Sequence, residues 1–148
     1  MSILRRLYER IVGTDNNSYN SPQGIMVGMD QIKSSSRPLV TGGLSICSAL
    51  GFSYSGLNFL GHISPMTPIG ELIKKISEFP QIREIHEDPN FRVYLWEGEF
   101  NSQTPCTDII KGALRQTGLL ERVAYQGTVN PLDIVGINQD GPFIVKDS

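Results

Sequence analysis

The residues best suited to chemistry lie together in one stretch of the chain. Residues 41–62 read TGGLSICSALGFSYSGLNFLGH and contain one of the two cysteines, Cys47, and one of the two histidines, His62. A thiolate is a strong nucleophile, and an imidazole that takes the thiol proton activates it. The hydroxyl of Thr41, six residues before Cys47, can hold the imidazole in one tautomer. The pattern predicts a nucleophile, a base and an orienting residue, although two packing residues close in sequence would give the same spacing.

The segment before Cys47 favours the same chemistry. Gly42 and Gly43 allow a tight turn of the backbone that exposes amide N–H groups. Attack of a thiolate on a carbonyl carbon produces an oxyanion, which needs preorganised donors. The backbone N–H groups of Ser45 and Ile46, up to Cys47, are the candidate donors.

Composition and charge argue against several classes of partner. The 148 residues suffice for one domain with a buried core, and 39% apolar against 19% charged residues is typical of a folded chain. The formal net charge of −2 gives no electrostatic reason to expect nucleic acid or an anionic membrane surface. No apolar run approaches the ~18 residues that cross a bilayer, so we expect no membrane span. The composition does not indicate an oligomeric state.

The cysteines and histidines also argue against a metal or a disulfide framework. Cys47, Cys106, His62 and His86 lack the short paired spacings of zinc sites. We therefore expect no metal and no cofactor. Two cysteines cannot build a disulfide framework, which favours free thiols in a reducing cytoplasm. Delivery into a host cell as an effector, without a cleavable signal peptide, is the alternative location.

Hydrophobic patterns place these residues in an α+β domain with mostly antiparallel strands, either one sheet or a two-sheet sandwich, flanked by two main helices. Residues 1–24 are predicted to be an amphipathic helix followed by a tether. The main helices are predicted over residues 67–80 and 104–120, with Thr67 and Thr104 as N-caps. Residues 31–38 are predicted to be a connector, and residues 39–54 predict two strands or a strand and a helix. Ser55 and Gly56 predict a turn from which residues 57–65 return as an antiparallel strand. Other strands are predicted at 25–29, 91–100, 122–127, 132–138 and 142–147, with a tight turn at 138–142.

Several short motifs occur in a recognisable order along the chain. The motif residues are Val27, Gly28 and Met29, then Val40 and Thr41, then Cys47, and finally His62 and Pro65. This order resembles the CheD family of chemoreceptor glutamine deamidases, over roughly residues 25–146. The resemblance implies that Cys47 is the nucleophile, His62 its base and Thr41 the orienting residue. It also implies a CheD-like domain over residues 25–148, similar in fold to the cytotoxic necrotizing factor toxins.

The resemblance implies a thiol-dependent protein-glutamine deamidase, whose partner is a protein that presents an exposed glutamine. Two departures leave a second interpretation open. The family's GLGSC reads GLSIC here, and its GGAxM and IGxRN segments have no counterpart in YLWEGEFNSQTPCTD. The alternative is a catalytically inactive CheD-fold adaptor or binding module in chemotaxis-like signalling. A thiol protease or a transglutaminase, in which the acyl-enzyme passes to an amine, is a third possibility.

Overall fold

The computed structural model of the chain describes residues 24–146. The strands in this range are β1 (Ile25–Met26), β2 (Ile32–Ser35), β3 (Leu39–Gly42), β4 (Ser48–Tyr54), β5 (Leu57–Ile63), β6 (Val93–Gly98), β7 (Val123–Val129), β8 (Ile134–Asn138) and β9 (Gly141–Val145). The helices are α1 (Ile69–Ser77), α2 (Ile82–Glu87), α3 (Cys106–Gln116) and two 3₁₀ turns, Asn101–Gln103 and Leu120–Arg122. The helix and tether predicted for residues 1–24 lie outside the described residues, apart from Gly24.

The strands form two mixed sheets that pack against each other. The four-stranded sheet has the order β1-β3-β8-β9, and the five-stranded sheet has the order β2-β5-β4-β6-β7. Five of the seven strand pairings are antiparallel, and β1–β3 and β6–β7 are parallel. The sheets approach closely where a Cβ added to Gly51 would lie 2.5 Å from Ile137. The predicted α+β domain with mostly antiparallel strands is confirmed, and of the two predicted arrangements, one sheet or two, the chain adopts two sheets.

The β4–β5 hairpin is the element that carries His62. The turn residues Ser55 and Gly56 both have positive φ, 51° and 81°, as a two-residue hairpin turn requires. The turn fixes a register in which Ala49 lies opposite His62. Both the predicted turn and the predicted antiparallel return strand are confirmed.

Both faces of the β4–β5 hairpin are buried over most of its length, and side chains alternate between the faces along each strand. One face of the hairpin carries Leu50, Phe52 and Phe59, which pack in one cluster with α1 and α3 residues such as Leu72 and Ile110. The opposite face carries Ala49, Leu60 and His62, and packs towards the four-stranded sheet. His62 therefore lies between the two sheets and is 3% exposed.

The predicted N-cap residues are wrong, because tertiary contacts use both hydroxyls. The N-cap position of α1 is Pro68 and that of α3 is Pro105, and neither helix has a side-chain cap. The Thr67 hydroxyl instead donates to the Asp30 carboxylate, with an O–O distance of 2.5 Å. The Thr104 hydroxyl is directed at two carbonyl oxygens outside its own helix, that of Asn101 at 2.9 Å and that of Ile46 at 3.0 Å.

Other predicted elements differ in extent. The strand predicted over residues 25–29 is limited to Ile25–Met26 because the chain turns at Met29 and Asp30. Residues Ile32–Ser35, expected to be a connector, form an edge strand. A third helix, Ile82–Glu87, adds to the two that were predicted, and its six residues bury only Ile85. Within residues 24–146, no helix is long and apolar enough to cross a membrane.

Candidate functional site

The structure brings Thr41 and His62 into direct contact from different sheets. Thr41 lies on β3 of the four-stranded sheet, and His62 lies on β5 of the five-stranded sheet. The Oγ1 atom of Thr41 is 2.8 Å from Nδ1 of His62 and 2.6 Å from the C=O oxygen of Val27. Both side chains are almost completely buried, at 0% and 3% exposure. The contact is therefore a fixed internal hydrogen bond rather than a surface encounter.

These distances determine the tautomer of His62. A carbonyl oxygen only accepts, so the single hydroxyl proton of Thr41 goes to the C=O of Val27. Thr41 Oγ1 must then accept from His62, which places the imidazole proton on Nδ1. The lone pair is left on Nε2, a buried atom with no hydrogen-bond partner among the described residues. Buried polar atoms without partners are costly and uncommon, and this one is a base ready to accept a proton.

We expect Thr41→Val to disturb this tautomer. The substitution removes the acceptor for Nδ1–H, and a buried donor without a partner costs about 1–3 kcal/mol. The ring is then expected to populate the tautomer with its proton on Nε2, which two-bond ¹⁵N–¹H NMR couplings of His62 would detect. Thr117→Val is the matched control, because the Thr117 hydroxyl bonds to carbonyls within α3. An unchanged tautomer in Thr41→Val would contradict the assignment.

Cys47 immediately precedes β4 on the face that carries His62. Ala49 lies opposite both His62 on β5 and Trp96 on β6. Cys47 packs in the same apolar cluster as Ala49 and Trp96, so it faces the same space between the sheets. Continuing the register by two residues makes Cys47 and His62 diagonal neighbours, a relation with typical Cα separations of ~7–8 Å. No hydrogen bond within the described part of the chain joins the thiol to Nε2.

The buried thiol of Cys47 is neutral in this arrangement. Its side chain is 1% exposed, and burial, with smaller contributions from Cys106 and Asp30, raises the pKa of Cys47 to about 11. Burial also lowers the pKa of His62 below its ordinary value, and the nearby Asp30 charge only partly opposes this. At neutral pH the two groups are thus a thiol and an imidazole rather than a thiolate–imidazolium pair. If Cys47 acts as a nucleophile, its deprotonation must accompany the attack.

The ionisation of Cys47 predicts a slow and pH-dependent alkylation. With a pKa of about 11, the thiolate fraction near pH 7.5 is roughly 300-fold below that of a free thiol with a pKa of ~8.5. The rate of iodoacetamide labelling of Cys47 should be correspondingly low, and it should rise about tenfold for each pH unit between about pH 7 and about pH 9. Peptide mapping assigns the label, with Cys47→Ser reporting the residual reaction of Cys106. A rapid, pH-independent reaction would contradict the neutral thiol.

The loop before Cys47 is held by its carbonyl groups. The C=O of Ser45 accepts from the N–H of Phe100, and the C=O of Cys47 accepts from the N–H of Gly98, both at 2.9 Å. The C=O of Ile46 accepts from the Cys106 thiol at 3.2 Å. Within residues 24–146, the N–H groups of Ser45, Ile46 and Cys47 have no acceptor. The backbone that carries the candidate oxyanion donors predicted from the sequence is therefore fixed in place, and the donors make no hydrogen bond to the described residues.

A cavity of about 250 Å³ opens beside His62. Among the described residues, its lining consists of Met26, Val27, Gly28, Met29, Gly42, Gly43 and His62, of which only His62 has a polar side chain. Cys47 does not line the cavity. His62 thus borders this cavity although its Nε2 is buried, whereas the Cys47 thiol is covered by its apolar neighbours.

Asp30 is a site residue that sequence reasoning missed. Its backbone N–H donates to the C=O of His62 at 2.9 Å, and its carboxylate accepts from Ser64 and Thr67. The available sequence signal was an aspartate directly after the VGM motif, but its partners lie more than thirty residues away. Among the described residues, no three His, Cys, Asp or Glu side chains converge as metal ligands do.

Comparison with known proteins does not assign the chain to a family. No protein-family model matches it, and no curated protein matches it.

Proposed function

We propose that this chain is a protein-glutamine deamidase that acts by Cys–His acyl transfer. The observation that carries the proposal is the free Nε2 of His62, left as a lone pair by the Thr41 hydrogen bond and buried near Cys47. A base of lowered pKa is unprotonated at neutral pH, as a general base should be. The motif order that resembles the CheD family supports the same assignment of nucleophile, base and orienting residue.

The reaction follows from these groups in two steps. Nε2 of His62 removes the thiol proton as Cys47 Sγ bonds to the carboxamide carbon of the glutamine. The tetrahedral oxyanion is stabilised by the free N–H groups of Ile46 and Cys47. The C–N bond breaks as His62 returns the proton to the leaving ammonia. Water, deprotonated by His62, then cleaves the thioester, which leaves glutamate and restores the thiol.

The surroundings of the base suit a neutral substrate group. The cavity beside His62 is otherwise lined by apolar side chains and glycine, and a carboxamide enters such an environment at lower cost than a charged group. Both cysteines are free, which agrees with action in a reducing cytoplasm, either in the producing cell or in a host cell. The proposed partner is a protein that presents an exposed glutamine.

One observation favours a second candidate function, a CheD-fold adaptor without activity. Cys47 is 1% exposed and neutral, and does not line the cavity at His62. An active enzyme must therefore uncover the thiol when it binds substrate, whereas an adaptor has no such need. The adaptor would bind its partner with unchanged affinity when Cys47 is replaced.

The test is peptide mapping by mass spectrometry of candidate proteins incubated with the purified chain. Conversion of a glutamine to glutamate replaces an amide nitrogen by oxygen and raises the mass by about one dalton with release of ammonia. The expected result is such a gain at one glutamine, absent when Cys47 is replaced. Binding of a partner without any mass gain would support the adaptor, and transfer of an amine to the glutamine would indicate a transglutaminase.

A further inference from the structure

Asp30 is bonded to His62 through the main chain. The N–H of Asp30 donates to the C=O of His62 at 2.9 Å, and the N–H of His62 donates to the C=O of Gln31 at 3.0 Å. This pair of bonds fixes the backbone of His62 against the turn that follows β1. Asp30 itself has φ of 65°, a left-handed conformation that Asp and Asn tolerate better than most residues. The turn therefore places Asp30 in one defined position beside the base.

The carboxylate of Asp30 is held in its charged form. The hydroxyls of Ser64 and Thr67 both donate to the same oxygen, Oδ1, at 2.5 Å. An oxygen that accepts two hydrogen bonds is best provided by the ionised carboxylate. These bonds therefore lower the pKa of Asp30, and the bond from Ser64 has the larger effect. The charge remains fixed although the residue lies at the surface.

Asp30 is the one charged group that acts on His62 among the described residues. The other elements packed there contribute uncharged groups, Thr41 from β3 and Ala49 from β4, and the titratable thiol of Cys47. The ammonium of Lys33 on β2 is bonded to the C=O of Met26 at 3.1 Å. The Asp30 charge raises the pKa of His62 against the larger effect of burial.

We infer that Asp30 is a positioning residue for His62, which anchors its backbone and provides a fixed negative charge for the imidazolium formed when the ring accepts a proton. The inference rests on the proposed function for the acyl-transfer step in which that imidazolium arises. The hydrogen bonds and the charge are independent of that function.

The test is NMR titration of the His62 ring in Asp30→Asn. Asparagine keeps an Oδ1 acceptor and tolerates positive φ, so the variant removes the charge and retains the turn. The pKa of His62 should fall, by a modest amount because solvent screens the carboxylate, while the proton stays on Nδ1. Asp140→Asn, on the exposed β8–β9 turn, is the matched control and should change neither quantity. An unchanged pKa of His62 in Asp30→Asn would overturn the inference.

A second measurement needs no substitution and covers the case in which Asp30→Asn does not fold. Salt screens the attraction between Asp30 and the imidazolium, so the pKa of His62 in the unaltered chain should fall between about 0.02 M and about 1 M NaCl. A pKa that does not change with salt would overturn the charge effect. Both readouts are obtained without substrate, so a failed deamidation assay would overturn the proposed function and leave them standing.

Discussion

Replacing Cys47 by alanine should reduce deamidation of a confirmed substrate by roughly a thousandfold or more. Without Sγ no thioester forms. Only substrate binding and oxyanion stabilisation then contribute to the rate, and in triad enzymes these alone give a small residual activity. The side chain is buried in an apolar cluster, and loss of one sulfur atom there is expected to cost only about 1–2 kcal/mol of stability. The measurement is the initial rate of ammonia release, with folding checked by circular dichroism.

Cys106→Ser provides the matched control for that experiment. Cys106 is also a buried free thiol, and serine keeps a donor for the C=O of Ile46. Its activity is expected to stay within about threefold of the unaltered chain. If Cys47→Ala retained activity while Cys106→Ser lost it, the nucleophile would be Cys106 and the mechanism proposed here would be wrong.

Gly98→Ala should destabilise the domain by about 3 kcal/mol or more and displace the loop that carries the oxyanion donors. A Cβ at Gly98 would lie 2.3 Å from the carbonyl oxygen of Ser45, 2.6 Å from its carbon and 2.8 Å from its nitrogen. All three atoms are backbone, so no side chain can rotate away and the loop itself must move. The loop is also bonded to Gly98 through the C=O of Cys47. Urea unfolding measures the change in the free energy of unfolding. The rate of ammonia release from a confirmed substrate shows whether displacement of the loop lowers activity.

Gly70→Ala is the corresponding control, with an effect of opposite sign. Gly70 lies in α1 with nothing within 4 Å of an added Cβ. Alanine is a better helix former than glycine by about 1 kcal/mol, so this variant should be slightly stabilised. A Gly98→Ala protein with the urea midpoint of the unaltered chain would show that the loop is not packed against β6 as described.

The parts of the fold that the sequence predicted well are those with strong local signals. The Ser55–Gly56 turn between two apolar runs predicted the β4–β5 hairpin, which carries Cys47 and His62. The apolar positions of α1 and α3 predicted both helices. The turn predicted at residues 138–142 separates β8 from β9, as expected. In each case a local pattern and the tertiary structure favour the same conformation.

The errors occur where a local pattern competes with distant partners. Thr67 and Thr104 fit N-cap patterns, but their hydroxyls bond to Asp30 and Ile46. Three of the four residues of the Ile32–Ser35 strand are polar, as an edge strand allows, and this weakens its pattern. Helix Ile82–Glu87 is too short to show a clear periodicity.

The candidate site was predicted in its composition but not in its state. The spacing of Thr41, Cys47 and His62 suggested a triad, and the structure does join Thr41 to His62. The burial of Cys47 depends on apolar residues from distant strands, such as Trp96 and Val129. The sequence pattern therefore could not show that the thiol is neutral and covered.

The division of the site between two sheets has a consequence for biosynthesis. Cys47 and His62 belong to one hairpin, a local structure that forms early in folding. Thr41 lies on β3, whose neighbours are β1 and β8, and it pairs with Val135 of β8. A nascent chain on the ribosome therefore holds Cys47 and His62 before Thr41 has the neighbouring strand that fixes it beside the imidazole. On the proposed mechanism, the protein acquires its activity only after β8 has been synthesised.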